Sequence, residues 1–213
     1  MRRMLFEKTG KAVWMSHLDL MRLMQRAFRR AGVILHHSQG FTPHAYVSMP
    51  LPLSVGVESV CEIMEYELDT ELSVSADEMN RVMPEGIRVR DVYESDRKCK
   101  ELTHLKARLE LQYDHRLPDI QLIDQLFGKE ELLVEKKTKR GIEETDIRPM
   151  IKEYSVLAEN SQMIIECTVC AQNPSLNPML LISAIERYLP ECRPDFVKCC
   201  RLELLDAQGE VFR

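Results

Sequence analysis

The hydrophobic pattern changes period several times along the chain, and those changes outline the elements. Residues 2–8 (RRMLFEK) read as a strand, 9–11 as a turn or bulge, and 12–15 as a further extended piece leading to Ser16. From there the period is helical. Leu20, Leu23, Met24, Ala27 and Ala31 recur at i, i+3, i+4, i+7 and i+11, the buried stripe of an amphipathic helix. Ser16 is its N-cap, Asp19 makes an approximate capping box, and Gly32 stops it. Residues 33–38 read as a second strand, 39–43 as a loop and 45–49 as a third strand, with Pro50 and Pro52 interrupting any further pairing. The stretch 60–68 (VCEIMEYEL) alternates as a strand. Residues 75–83 form a short helix opened by Ser75 and closed near Pro84-Glu85-Gly86, and 87–93 alternate again.

Residues 94–101 (ESDRKCKE) are polar and aperiodic, the expected boundary between two halves. Beyond it, 105–113 is a strand, 119–127 a helix capped by Asp119, 132–139 a strand, 141–146 a polar loop and 147–153 an inserted helical turn. Residues 163–171 are a strand, 177 or 178 to 188 a helix with proline in its first turn, and 197–205 the last strand. Each half therefore reads β-α-β-β-α-β. The expected fold is α+β, two tandem ferredoxin-like units with antiparallel sheets, at 1–98 and 104–213. The halves share no detectable sequence repeat, so the duplication is inferred from element order alone.

Composition adds little beyond a globular class: 45% of residues are hydrophobic and 30% charged. No apolar run has the length of a membrane span, and the start, MRRMLFEKTG, lacks the apolar core of a signal peptide. Seven scattered cysteines, an odd number, are expected to be reduced thiols buried in a cytoplasmic protein. Cys167-x-x-Cys170 looks like half of a metal site, but it lies in a strand, where positions three apart face opposite ways. No metal and no cofactor is expected.

Charge changes the picture more. Through residue 46 there are eight cations, Arg2, Arg3, Lys8, Lys11, Arg22, Arg26, Arg29 and Arg30, against Glu7 and Asp19, a net of +6 in a chain of net -5. One basic face on an acidic body is expected. Arg22, Arg26 and Arg29 share a helix face with no acidic residue on that helix except Asp19, whereas a solvated helix usually interleaves signs. The row suits a polyanion such as RNA; it also suits ion pairs to carboxylates elsewhere in the chain. Ser16 and His17 stand at the helix N-terminus, where free N–H groups favour an anion, although Ser16 as a plain cap and His17 as an exposed first-turn residue fit equally well. The loop SQGFTPH holds Phe41, either a stacking platform for a base or a plug beneath the loop, and His44. His36 and His37, adjacent on a strand, must face opposite ways. Lys136, Lys137, Lys139 and Arg140 make a basic hairpin tip, balanced by Glu143, Glu144 and Asp146, and read as a solvated loop. The candidate anion-binding set is Lys11, Ser16, His17, Arg22, Arg26, Arg29, Arg30, Phe41 and His44, with His17 and His44 also the candidates for acid–base catalysis.

The stretch KTGKAVWMSHLDLMRLMQRAFRRAG, followed by HSQGFTPHAYVSMPLPLSVGVES, resembles a bacterial family of unknown function linked to radical-SAM proteins. The resemblance rests on Lys8, Gly10, Ser16, His17, Leu18, Asp19, Leu20, Arg22, Arg26, Arg29, Arg30, Gly32, Ser38, Gly40, Phe41, Pro43, His44, Ser48 and Gly56, and downstream on KKTKRG and on Asp146, Ile147 and Arg148. Ala45 departs from it, the family commonly having proline there. The resemblance implies a separate B12-binding radical-SAM protein as partner and, by genomic association, a place in RNA modification or processing. Three expectations follow: an RNA-binding accessory without catalysis of its own, a metal-independent ribonuclease using His17 and His44, or a module that docks the radical-SAM partner without RNA.

Overall fold

Met4 and Phe6 alternate with Arg3 and Leu5 along the first strand, so one side of it is apolar and the other carries a guanidinium. The computed structural model describes residues 1–69, 73–138, 141–159 and 161–213. The chain divides into two units, Met1–Leu102 with Val211–Arg213, and Thr103–Glu210. Strand pairing within each unit is antiparallel. No described helix is long and apolar enough to cross a membrane.

In the first unit β1 (Arg2–Lys8) is followed by α1 (His17–Arg30), β2 (Val47–Ser48), β3 (Val57–Tyr66), α2 (Ala76–Asn80) and β4 (Ile87–Glu94). β1 lies between β4 and β3, and β2 pairs with the far side of β3, so the strand order is β4-β1-β3-β2. Ser16 caps α1: its hydroxyl accepts from Asp19 N–H at 3.2 Å and donates to the Asp19 carboxylate at 2.7 Å. That bond, and then the charge of Arg22, hold the Asp19 carboxyl below its ordinary range. Leu20, Met24, Ala27 and Phe28 of α1 are fully buried against Met4, Phe6, Met64 and Tyr66. Phe28, outside the predicted stripe, packs its ring 4.7 Å from that of Tyr66. Leu23 and Ala31 lie at the margin of the core. In α2, Ser75 and Glu78 form a complete capping box.

Three expected elements of this unit differ. Residues 10–14 form a 3-10 turn instead of an extended piece. The strand expected at 33–38 is reduced to two isolated bridges, Leu35 to Leu68 and His37 to Ala45. Its backbone groups are shared between two neighbours: His36 N–H donates to Glu67 C=O while His36 C=O accepts from Tyr46 N–H, so no continuous ladder forms. The third strand shrinks to Val47–Ser48, just ahead of the two prolines.

Two fixtures hold the turn between β1 and α1. Lys8 is fully buried, and its Nζ donates to Met15 C=O at 3.0 Å and Ser54 C=O at 3.3 Å. Gly86, at φ +87°, accepts at its C=O from Thr9 N–H at 2.8 Å. A Cβ on Gly86 would stand 2.5 Å from Thr9 C=O and 2.8 Å from Ala12 Cβ. On the opposite side of β1, Arg3 is wholly buried. It donates twice to Glu65, at 2.8 and 3.0 Å, once to Ser95 Oγ and once to Arg97 C=O. Phe212, returning from the end of the described chain, stacks under the guanidiniums of Arg3 and Arg97 at 4.7 and 5.0 Å.

The second unit runs β5 (His104–Gln112), α3 (Ile120–Phe127), β6 (Leu133–Thr138), β7 (Gly141–Asp146), β8 (Ile151–Glu159), β9 (Gln162–Cys170), α4 (Leu180–Tyr188) and β10 (Phe196–Leu205). Its sheet order is β10-β5-β9-β8, with β6 and β7 as a separate ribbon. Leu105, Ala107, Leu109 and Leu111 of β5 all point into the core. Lys106, Arg108 and Glu110 face the other way, where Lys106 and Arg108 pair with Glu166 and Arg108 also meets Glu110 and Glu159.

Here the expected order needs correction. Residues 141–146 are a strand, not a polar loop. The helical turn expected over 147–153 is a 3-10 turn at Arg148–Met150 followed by β8. The second strand of this unit's sheet is thus β8, not the stretch at 132–139. β8 (IKEYSVLAE) carries weak alternation because it is an edge strand with most side chains in solvent. The last helix begins at Leu180, after Pro178. Cys61, Cys167, Cys192 and Cys199 are buried, but Cys99, Cys170 and Cys200 are only half-buried, and all seven are free thiols. Burial pushes Cys167 and Cys199 up to about 12.

Replacing Lys8 by methionine removes the hydrogen bonds of a buried ammonium to Met15 C=O and Ser54 C=O, and is expected to lower stability by about 3 kcal/mol in denaturant unfolding. Gly86→Ala combines a left-handed backbone with the clash on Thr9, and a loss of about 3 kcal/mol is expected by the same measurement.

Candidate functional site

The exposed side of α1 is the outcome of its buried side. With Leu20, Met24, Ala27 and Phe28 turned inward, Arg22, Arg26, Arg29 and Arg30 are left in solvent. Arg22 pairs with Asp19 at 3.3 Å. Arg30 donates to Val82 C=O at 3.0 Å. Among the described residues neither Arg26 nor Arg29 has a carboxylate within ion-pair distance. Lys11 is exposed on the 3-10 turn and likewise unpaired. Four of the eight cations counted in the sequence are unavailable to a partner or occupied. Lys8 and Arg3 are buried, Arg3 on Glu65; Arg2 meets Glu94 at 3.6 Å, and Arg22 meets Asp19. The exposed cations left without a carboxylate partner among the described residues are therefore fewer than the net of +6 implies: Arg26, Arg29, Arg30 and Lys11, with Arg22 paired to Asp19.

Ser16 is committed to capping. His17 is half-buried, and its Nδ1 is enclosed without a hydrogen-bond partner. Phe41 is fully exposed, so it is no plug under its loop. The loop is closed at its feet: Ser38 N–H donates to His44 C=O at 2.9 Å, and Ser38 Oγ accepts from His44 N–H at 3.0 Å. An exposed aromatic is thereby carried on a tied loop. His36 pairs with Asp69 at 2.5 Å and packs its ring 5.1 Å from Tyr46, while His37 Nδ1 contacts Leu35 C=O, so the two adjacent histidines have separate partners.

The feet of that loop open into a cavity of about 370 Å³. Ser38 and His44 line it from the loop, Tyr46 and Ser48 from the strand region that follows, and Glu65 and Glu67 from β3 and just beyond. Tyr66 packs on Phe28 beneath α1, so Glu65, its neighbour along the strand, faces the other side of the sheet. Glu65 lines the cavity together with Glu67, two positions on. His44 lines it; His17 and the arginines of α1 do not. The two imidazoles expected to act as an acid–base pair are thus not gathered in one cleft. Glu67 and Tyr46 were not singled out by sequence reasoning. The alternation of Glu65 and Glu67 in MEYEL was the available signal, since it puts two carboxylates on one sheet face. At the other candidate, Lys136 donates to Ser175 C=O and Glu144 pairs with Arg187. Lys139 and Arg140 lie outside the described residues. No group of three or more metal-ligating side chains occurs among the described residues.

Among solved structures, a chain of the "Crystal Structure of a Cbf5-Nop10-Gar1 Complex" is similar to this one, with a TM-score of 0.53 at 10% identity over 95% of this chain and 48% of that chain. The likeness is one of fold, and the present chain spans about half the length of the other. A search of curated proteins found no match. The profile of the family described as "Uncharacterized protein conserved in bacteria (DUF2344)" matches residues 2–178, most of the chain, and the protein belongs to that family.

Proposed function

We propose that the protein is a cytoplasmic RNA-binding accessory to a separate B12-binding radical-SAM protein that modifies tRNA or rRNA, without catalytic chemistry of its own. The observation that carries this reading is the solvent-facing row on α1. Arg22, Arg26 and Arg29 stand on one helix face with Asp19 as the one carboxylate in contact with the row among the described residues. Guanidiniums in a fixed row bind phosphates by charge-assisted hydrogen bonds and release counterions. Phe41, held out on its tied loop, supplies an aromatic surface for an unpaired base. The association with radical-SAM chemistry is supported by the SHLDLMR and GFTPH resemblance. Each unit is read as ferredoxin-like, which the strand orders β4-β1-β3-β2 and β10-β5-β9-β8 support.

Filter-binding titrations of tRNA and rRNA fragments against salt test this reading. Affinity is expected to fall steeply with salt. The triple variant Arg22→Ala, Arg26→Ala, Arg29→Ala is expected to flatten the log–log slope by about 2 to 3. Phe41→Ala is expected to cost about 1–3 kcal/mol on single-stranded RNA. No binding at low salt, or binding without a salt slope, ends the proposal. Salt-sensitive co-purification with the radical-SAM protein in the absence of RNA would instead make this face a protein-docking surface.

A further inference from the structure

We infer that the cavity beside the 38–44 loop is a binding site for a guanine base. Its volume, about 370 Å³, falls in the range of small-ligand clefts, about 300–1,000 Å³. Tyr46, an exposed aromatic, lines it beside Ser48 and Glu67, a lining that suits a flat heterocycle. Tyr46 is steadied from behind by the His36 ring, itself tied to Asp69. The two carboxylates of the cavity are not equivalent. Glu65 is consumed by the buried Arg3 guanidinium. Glu67 is exposed, lines the cavity and has no hydrogen-bond or ion-pair partner for its carboxylate among the described residues.

A free carboxylate is an acceptor-only group with two oxygens side by side. Its complement is a planar ligand with two adjacent N–H donors. Guanine presents such a pair on its Watson–Crick edge, the ring N1–H and the 2-amino group. Adenine has an acceptor at N1, and cytosine and uracil offer one donor each on that edge. The hydroxyls of Ser38 and Ser48, together with His44, stand ready for the remaining polar atoms of the base or its sugar. A base taken out of its stack is read by hydrogen bonds to this edge and by aromatic packing. The same chemistry is offered by a free guanine nucleotide and by an unpaired G in an RNA strand. The second source rests on the RNA reading above; the first does not.

Titration calorimetry of the whole chain with GMP, IMP and AMP tests the assignment, with a short single-stranded RNA containing one G, or A in its place, as the second arm. GMP is expected to bind at least tenfold more tightly than AMP, with IMP, which lacks the 2-amino group, in between. Glu67→Gln turns one acceptor into a donor facing the base and is expected to cost GMP at least tenfold. Ser48→Trp, on an exposed position, fills the cavity and is expected to abolish GMP binding while circular dichroism is unchanged. Preference for the G-containing strand over free GMP identifies RNA as the source; equal affinity identifies the nucleotide. Equal affinity for GMP and AMP, no binding of either, no effect of Glu67→Gln, or tighter binding of free arginine than of GMP overturns the assignment. A chain that binds GMP but no RNA retains the cavity and loses the RNA proposal. One that binds RNA with a salt slope yet treats GMP and AMP alike loses the cavity alone.

Discussion

Everything at the candidate surface depends on one buried ammonium. Lys8 leaves the end of β1 and enters a space closed to solvent, where it is bonded to Met15 C=O and Ser54 C=O. An unpaired charge in that position would be prohibitive, so the turn before α1 and the loop before β3 must both come to it. The start of α1 is fixed by this contact. With the start fixed and Leu20, Met24, Ala27 and Phe28 packed, the rotation of the helix is fixed too, and with it the direction in which Arg22, Arg26 and Arg29 point. The glycine two residues after Lys8 has φ +56°, which lets the backbone turn away at once toward Trp14. A lysine and a glycine that carry part of the family resemblance are therefore the mounting of the helix.

The same logic narrows the meaning of charge in the sequence. Counting residues put a net of +6 on the opening quarter of the chain. The fold turns Arg3 inward onto Glu65, Ser95 and Arg97 and seals it with Phe212. It buries Lys8 and sets Arg2 against Glu94. A count of charges cannot separate a cation that holds the protein together from one offered to a partner, because both are written with the same letter. What separates them is strand parity. Arg3 and Glu65 oppose each other in register across β1 and β3, a relation that appears only once the strands are paired.

Legibility followed the strength of the local signal. α1 was read nearly to the residue, since its cap, its stripe and its terminal glycine agree. β5 and β9 were found because each keeps one side wholly apolar. β8 was not, since an edge strand with a solvated outer side need not alternate cleanly. β7 was mistaken for a loop because GIEETD has no apolar side at all; it is held by pairing with β6, from Leu133 opposite Asp146 to Thr138 opposite Gly141. The segment 33–38 was over-read, since its backbone groups answer two different neighbours instead of one. At the surface, the arginine row and Phe41 were visible in the residues, whereas the cavity was not. It is assembled from a loop, a two-residue strand and the end of β3, and only the alternation of Glu65 with Glu67 hinted at it.

The return of Val211–Arg213 to the first unit bears on how the chain is made. Phe212 slides beneath Arg3, and Ser95 Oγ bonds Arg213 C=O, after the whole of Thr103–Glu210 has been laid down in sequence between them. During synthesis on the ribosome the opening unit therefore waits, its innermost guanidinium lacking a lid, until the second unit has emerged. Val211–Arg213 then act as a clasp on a unit whose other residues were all made before Thr103.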